Sequence, residues 1–134
     1  VAAAILAELT NTQPAIKVAK TSTRTSMHVF KKKAFVDACA QYPVKAESIM
    51  AAYKVLDKSM ASRPEELKTA LSTLDNFTHR NGWWVIDIGG NELRLIAAID
   101  FKKQYVNVKH IFNHAEYDKA NKWYRSPKNK GVMP

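Results

Sequence analysis

WWVIDIGGNELRLIAAIDFKKQYVNVKHIFNHAEYDK, residues 83 to 119, is the stretch whose reading decides the fold. Three apolar runs rich in aromatic and β-branched residues are separated by short turn signals, and a helix start follows. Trp83 to Ile88 is a strand, and Gly89-Gly90-Asn91 turns the chain. Leu93 to Phe101 is the longest strand, Lys102-Lys103-Gln104 is the next turn, and Tyr105 to Ile111 is the last strand. Asn113-His114-Ala115-Glu116 is a capping signature that opens a helix to about Arg125.

Working outward, Asn81-Gly82 is a hairpin signal, because both residues tolerate positive φ, and Leu74 to Arg80 is a candidate strand before it. Ser62-Arg63-Pro64-Glu65 has the Ser-x-x-Glu capping pattern and starts a short helix through about Leu71. Val44 to Met60 carries Ile49, Ala52, Tyr53, Leu56 and Met60 on one helical stripe. Lys31 to Tyr42 has Phe35, Cys39 and Tyr42 at helical spacing, and Pro43 ends it. His28 to Phe30 is a short first strand. The pattern predicts an α+β domain, with helices packed against one face of an antiparallel four-stranded meander and a C-terminal helix after it.

Residues 1 to 26 lack a sustained period, and five of the last six are Ser or Thr. They are expected to be an extension: an upstream read-through, a cloning remnant or a fused fragment. The patterned domain is expected over residues 27 to 134, with SPKNKGVMP as a poorly ordered tail.

The chain of 134 residues suits one domain, and at 46% apolar it can bury a core. No apolar run approaches the ~18 residues of a membrane span, and VAAAILAEL lacks the basic leader of a signal peptide. A lone Cys39 forms no internal disulfide, which fits a cytoplasmic setting. The net charge of +9 sits at the two ends of the chain, which points to a phosphate backbone or an acidic protein as partner.

The candidate chemistry gathers where sheet gives way to helix. Strand alternation puts Leu93, Leu95, Ala97 and Ile99 on one face, and Arg94, Ile96, Ala98 and Asp100 on the other. On the last strand Val106, Val108 and His110 alternate with Asn107, Lys109 and Ile111. Arg94 is a charge among apolar neighbours, so it serves either function or a pair with Asp87 or Asp100. His114 and Tyr117 share a helix face, and a phosphate would suit the positive helix end beside His114. Either residue could instead be a surface or packing residue.

Cutting RNA through its own 2′-OH needs a proton acceptor, a cation for the phosphorane and a proton donor for the 5′-oxygen. Imidazole and guanidinium suit those tasks, and the reaction requires neither metal nor other cofactor. No zinc-ligand spacing, phosphate loop or nucleophile elbow is present.

Met27 to about Lys130 resembles HigB-type toxins of the RelE superfamily of bacterial toxin–antitoxin systems. The resemblance rests on MHVFKKKAF, TLDNF at 73 to 77, WWVID, GNELRLI, IDF at 99 to 101 and VKHIFNHAEYDK, in order and at the right spacing. It implies a RelE-like microbial ribonuclease fold and an mRNA interferase that cleaves translated mRNA on the ribosome. It also implies a HigA-like helix-turn-helix antitoxin as partner, in a higher-order complex. Carried over, Arg94, His114 and Tyr117 are the candidate catalytic residues. Lys31, Lys32, Lys33, Lys102 and Lys103 are candidates for holding RNA, as are His79, Arg80, Lys109 and His110. The last four also compete for the general-base role, because Trp84 to Asp87 lacks the lysines of RelE. The rival expectation is a non-catalytic basic module that binds nucleic acid or an acidic protein.

Overall fold

The deciding stretch forms the centre of a five-stranded sheet in a computed structural model that describes residues 26–134. In chain order the elements are β1 (His28–Phe30), α1 (Lys32–Gln41), a 3-10 turn (Pro43–Lys45), α2 (Ala46–Lys58) and α3 (Pro64–Ala70). Then come β2 (Asp75–Asn76), β3 (Trp83–Ile88), β4 (Leu93–Asp100), β5 (Tyr105–Asn113) and α4 (His114–Arg125). The expected extension falls almost wholly on residues 1–25, which lie outside the described residues.

The sheet order is β1-β5-β4-β3-β2. The meander from β2 to β5 is antiparallel, as expected, but β1 lies parallel to β5 with Val29 opposite Val106. The sheet is therefore mixed. A parallel neighbour needs a long crossover, and the chain from α1 through β4 supplies it. The expected strand from Leu74 to Arg80 contracts to two residues, because turns occupy the chain between Thr78 and Gly82.

Helices cover both faces, which corrects the expectation of one covered face. One face carries Leu93, Leu95, Ala97, Ile99, Val106 and Val108 against Phe35, Ile49 and Leu56 of the helical hairpin. On the other face α4 lays Ala120 and Tyr124 over Val85, Ile96 and Phe112. The sequence hint was present: the strands are apolar on both faces, as strands covered on both sides must be.

Local chemistry explains the joints. Gly89, Gly90 and Asn91 all have positive φ, and a Cβ on Gly89 would stand 2.8 Å from Cδ of Lys45. Asn113 caps α4: its side chain accepts from Glu116 N–H at 2.9 Å, and the Glu116 carboxylate accepts from Asn113 N–H at 3.4 Å. Asn113→Ala is expected to lower unfolding free energy by about 1 kcal/mol. Urea denaturation checks this, and an unchanged midpoint contradicts it. The Ser62 pattern works differently from its reading, since Arg63 is the N-cap and Ser62 bonds Glu66. The tail also departs from expectation. It folds back, with Met133 N–H donating to Tyr124 Oη at 2.9 Å.

Candidate active site

Arg94 stands on β4 directly opposite Asp87 of β3. Its Nη1 lies 2.9 Å from Asp87 Oδ1, and the side chain is 13% exposed. The same nitrogen donates to the backbone oxygen of Asn91 at 3.2 Å and also to the Asn91 carboxamide oxygen. The guanidinium lies over the Tyr117 ring, 5.3 Å from its centroid. All of these polar contacts among the described residues fall on Nη1. Nε and Nη2, the edge of the fork that fits two phosphate oxygens, are uncommitted. The structural pairing with Asp87 and a functional role are therefore compatible.

Tyr117 is half-buried between that guanidinium and the rings of Phe77 and Phe112. Burial pushes its phenol above the usual tyrosine range, and Arg94 pulls the other way. His114 is not part of this contact set. It is exposed, and its Nδ1 faces Asp118 Oδ2 at 3.4 Å.

A β-bulge positions the candidate residues of β5. Ile96 pairs with His110 but Ala97 pairs with Val108, so Lys109 is an extra residue in β5. An inserted residue flips the alternation that follows it. This overturns the simple alternation on β5. His110 leaves the Val106–Val108 face and stacks on Phe112, 4.9 Å between centroids, while Ile111 turns to the helical-hairpin core. Lys109 Nζ reaches over Trp83, 5.3 Å from the ring centroid. Lys109 and His110 thus both stand on the α4 side of the sheet.

Lys31 joins them from β1. It has φ 67, a left-handed conformation uncommon outside glycine, at the kink from β1 into α1. Burial and the nearby Lys31 hold the Lys109 ammonium below the usual lysine range. Burial first, then Lys109 and Lys31, push His110 down as well.

The other basic candidates disperse. Lys32 lies over Tyr53, 5.4 Å from its centroid, and Lys33 pairs with Asp37 at 2.8 Å, so neither joins Lys31. Lys102 and Lys103 are exposed on the β4–β5 turn. His79 Nε2 meets Asn121 Oδ1 at 2.8 Å. Arg80 donates to the backbone oxygens of His79, Tyr124, Asn129 and Gly131, and so acts as the tail's clasp. Beside it a pocket of about 530 Å³ is lined by Arg80, Arg125 and Lys130 among others.

The sequence reading missed Asn91, Trp83 and Tyr124. Tyr124 Oη lies 2.6 Å from His110 Nε2 and accepts from Met133, which leaves its own proton for a neutral imidazole. Helical spacing from Tyr117 through Ala120 to Tyr124 was the available signal.

The depressed His110 value fixes a sign. Between the lowered folded value and the ordinary one near 6.5, the unfolded chain holds the extra proton. Stability therefore rises with pH through that window and falls on acidification. Melting curves from pH 5 to 7.5 are expected to show this slope, and His110→Gln is expected to flatten it. Equal slopes in both proteins would contradict the assignment.

A family model described as HigB_toxin, RelE-like toxic component of a toxin–antitoxin system, matches residues 45–120. A protein of Escherichia coli O6:H1 named mRNA interferase HigB is 46% identical over 102 residues, covering 76% of this chain and 99% of that protein. The mRNA interferase toxin HigB of Escherichia coli strain K12 is 35% identical over 92 residues, covering 69% of this chain and 88% of its own length.

Proposed function

The chain belongs to the HigB toxin family, RelE-like toxic components of toxin–antitoxin systems, and from that premise we propose that it is an mRNA endoribonuclease acting on the ribosome. The observation that carries the reading is Arg94, held by Asp87, Asn91 and Tyr117, with Nε and Nη2 left for a phosphate by every contact among the described residues.

The reaction is attack of the ribose 2′-OH on the adjacent phosphorus. It forms a 2′,3′-cyclic phosphate and expels the 5′-oxygen. Arg94 stabilises the phosphorane, and Tyr117 orients the guanidinium or a neighbouring base. Among the candidates for proton acceptor, His79, His110 and Arg80 are committed to protein hydrogen bonds. Lys109, held low by burial and Lys31, is the better base. His114, with Nδ1 on Asp118, keeps Nε2 for protonating the leaving oxygen.

As a toxin of such a system the protein has a cognate antitoxin. A HigA-like helix-turn-helix protein in a higher-order complex, and a cytoplasmic site of action, complete the proposal. Residues 27 to 134 are the toxin domain in this reading.

Mapping mRNA 5′ ends after induction tests it. New 5′-hydroxyl ends in codon phase are expected on translated messages. Their persistence on a message stripped of its start codon overturns ribosome dependence. Growth arrest without new ends would favour the non-catalytic binding module.

A further inference from the structure

The β1–β5 side of the sheet carries a feature that the catalytic reading leaves unused. β1 alternates, so Val29 enters the core while His28 and Phe30 stand on the α4 side of the sheet. Tyr105 pairs with His28 and stands on the same side. The rings form a ladder: His28 to Phe30 is 4.6 Å between centroids and Phe30 to Tyr105 is 5.3 Å, both edge-to-face. Phe30 is 42% exposed, which is uncommon for a phenylalanine in a strand.

Cations bracket this ladder. Lys102 and Lys103 lie on the turn just before Tyr105. Lys31 follows Phe30, and Lys109 follows on β5, close enough to Lys31 for each charge to be felt. Among the described residues, none of these four lysines has a carboxylate within 4.0 Å. Asp100, at the hairpin end, accepts from Lys103 N–H at 2.9 Å. From Tyr105 to Lys109 the strip runs about 13 Å, at ~3.3 Å per strand residue.

Two exposed rings, His28 and Phe30, and the half-buried Tyr105 stand between cations, the arrangement on which unpaired bases stack while the backbone lies along positive charge. An acidic peptide would use the lysines but would gain little from the rings. We propose that His28, Phe30 and Tyr105 form a stacking platform for single-stranded RNA bases flanking the cleaved phosphate, with Lys31, Lys102 and Lys103 along the strand's backbone and Lys109 left to the reacting nucleotide. The inference rests on the nuclease reading, and it assigns to β1 the part of the message beyond the reacting nucleotide.

The test uses the full chain and 5′-labelled 2′-O-methyl RNA hexamers, which cannot undergo 2′-OH attack. One hexamer carries bases and one is abasic with equal charge. Fluorescence anisotropy is expected to show the wild type preferring the base-bearing hexamer. Phe30→Leu is expected to weaken that complex by about fivefold or more, with the abasic complex unchanged. Phe30→Trp is expected to restore the preference. Tyr105→Leu supplies the same comparison if Phe30→Leu does not fold. The proposal is overturned if the wild type shows no preference for bases, or if the leucine variants bind like the wild type. It is also overturned if a hexaglutamate peptide displaces both hexamers equally well. Translated mRNA is assayed in parallel with the wild type. Cuts without base preference retire the platform alone, whereas base preference without cuts retires the nuclease reading and with it the platform's place beside a cleaved phosphate, leaving only a single-strand binding surface.

Discussion

Arg94→Ala is expected to lower cleavage of translated mRNA by about 10²- to 10³-fold, the usual consequence of removing one preorganised donor to a transition-state charge. In the proposed reaction the phosphorane gathers negative charge, and a guanidinium already fixed by Asp87, Asn91 and Tyr117 would stabilise it without reorganising. Lysine keeps the charge but loses the planar fork, so Arg94→Lys is expected to recover only a minor part. A structural loss must be separated from a catalytic one, because the alanine variant leaves Asp87 at 30% exposure without its cation. Asp87→Asn provides the control, since it breaks the ion pair and retains the guanidinium. Growth after induction and single-turnover cleavage on programmed ribosomes are the measurements. An Arg94→Ala protein that folds and cuts at the wild-type rate removes Arg94 from the site.

Phe35→Ala is expected to cost about 3–5 kcal/mol of stability. Phe35 is 0% exposed and meets Tyr53 edge-on, 5.1 Å between centroids, where α1 crosses α2. Its removal opens a cavity between the helical hairpin and the sheet, and the helix backbones on one side and the strand backbones on the other limit collapse into it. Each kcal/mol shifts the melting temperature of a domain of this size by several degrees, roughly 4 °C. A loss on the order of 10 °C or more is therefore expected by calorimetry. A shift under about 3 °C would show that the hairpin repacks freely. Phe35→Leu, nearer in volume, should recover most of the loss.

The family resemblance and the main elements were legible in the sequence because their signals are local. The meander strands announce themselves by β-branched and aromatic runs, its turns by Gly89-Gly90-Asn91, and α4 by the Asn113–Glu116 box. Arg94 was legible as a charge on an apolar strand, and its contact with Tyr117 follows from α4 returning over the sheet. Lys31, Lys32 and Lys33 could not be told apart, since their fates depend on the left-handed kink at Lys31. Arg80 looked like an RNA contact and is the clasp of the tail, because the carbonyls that claim it lie at Tyr124, Asn129 and Gly131.

By itself the sequence determined most of the segments that become strand or helix, where most turns fall and which residues can carry charge or protons. Those properties follow from backbone sterics, side-chain periodicity and capping within a few residues. Only the tertiary structure decided that β1 joins β5 in parallel, that α4 covers the second face and that the bulge at Lys109 carries His110 across the sheet. Pairing and register between distant segments are set by which surfaces exclude water together. One inserted residue in β5 therefore settles which side chains meet at the site.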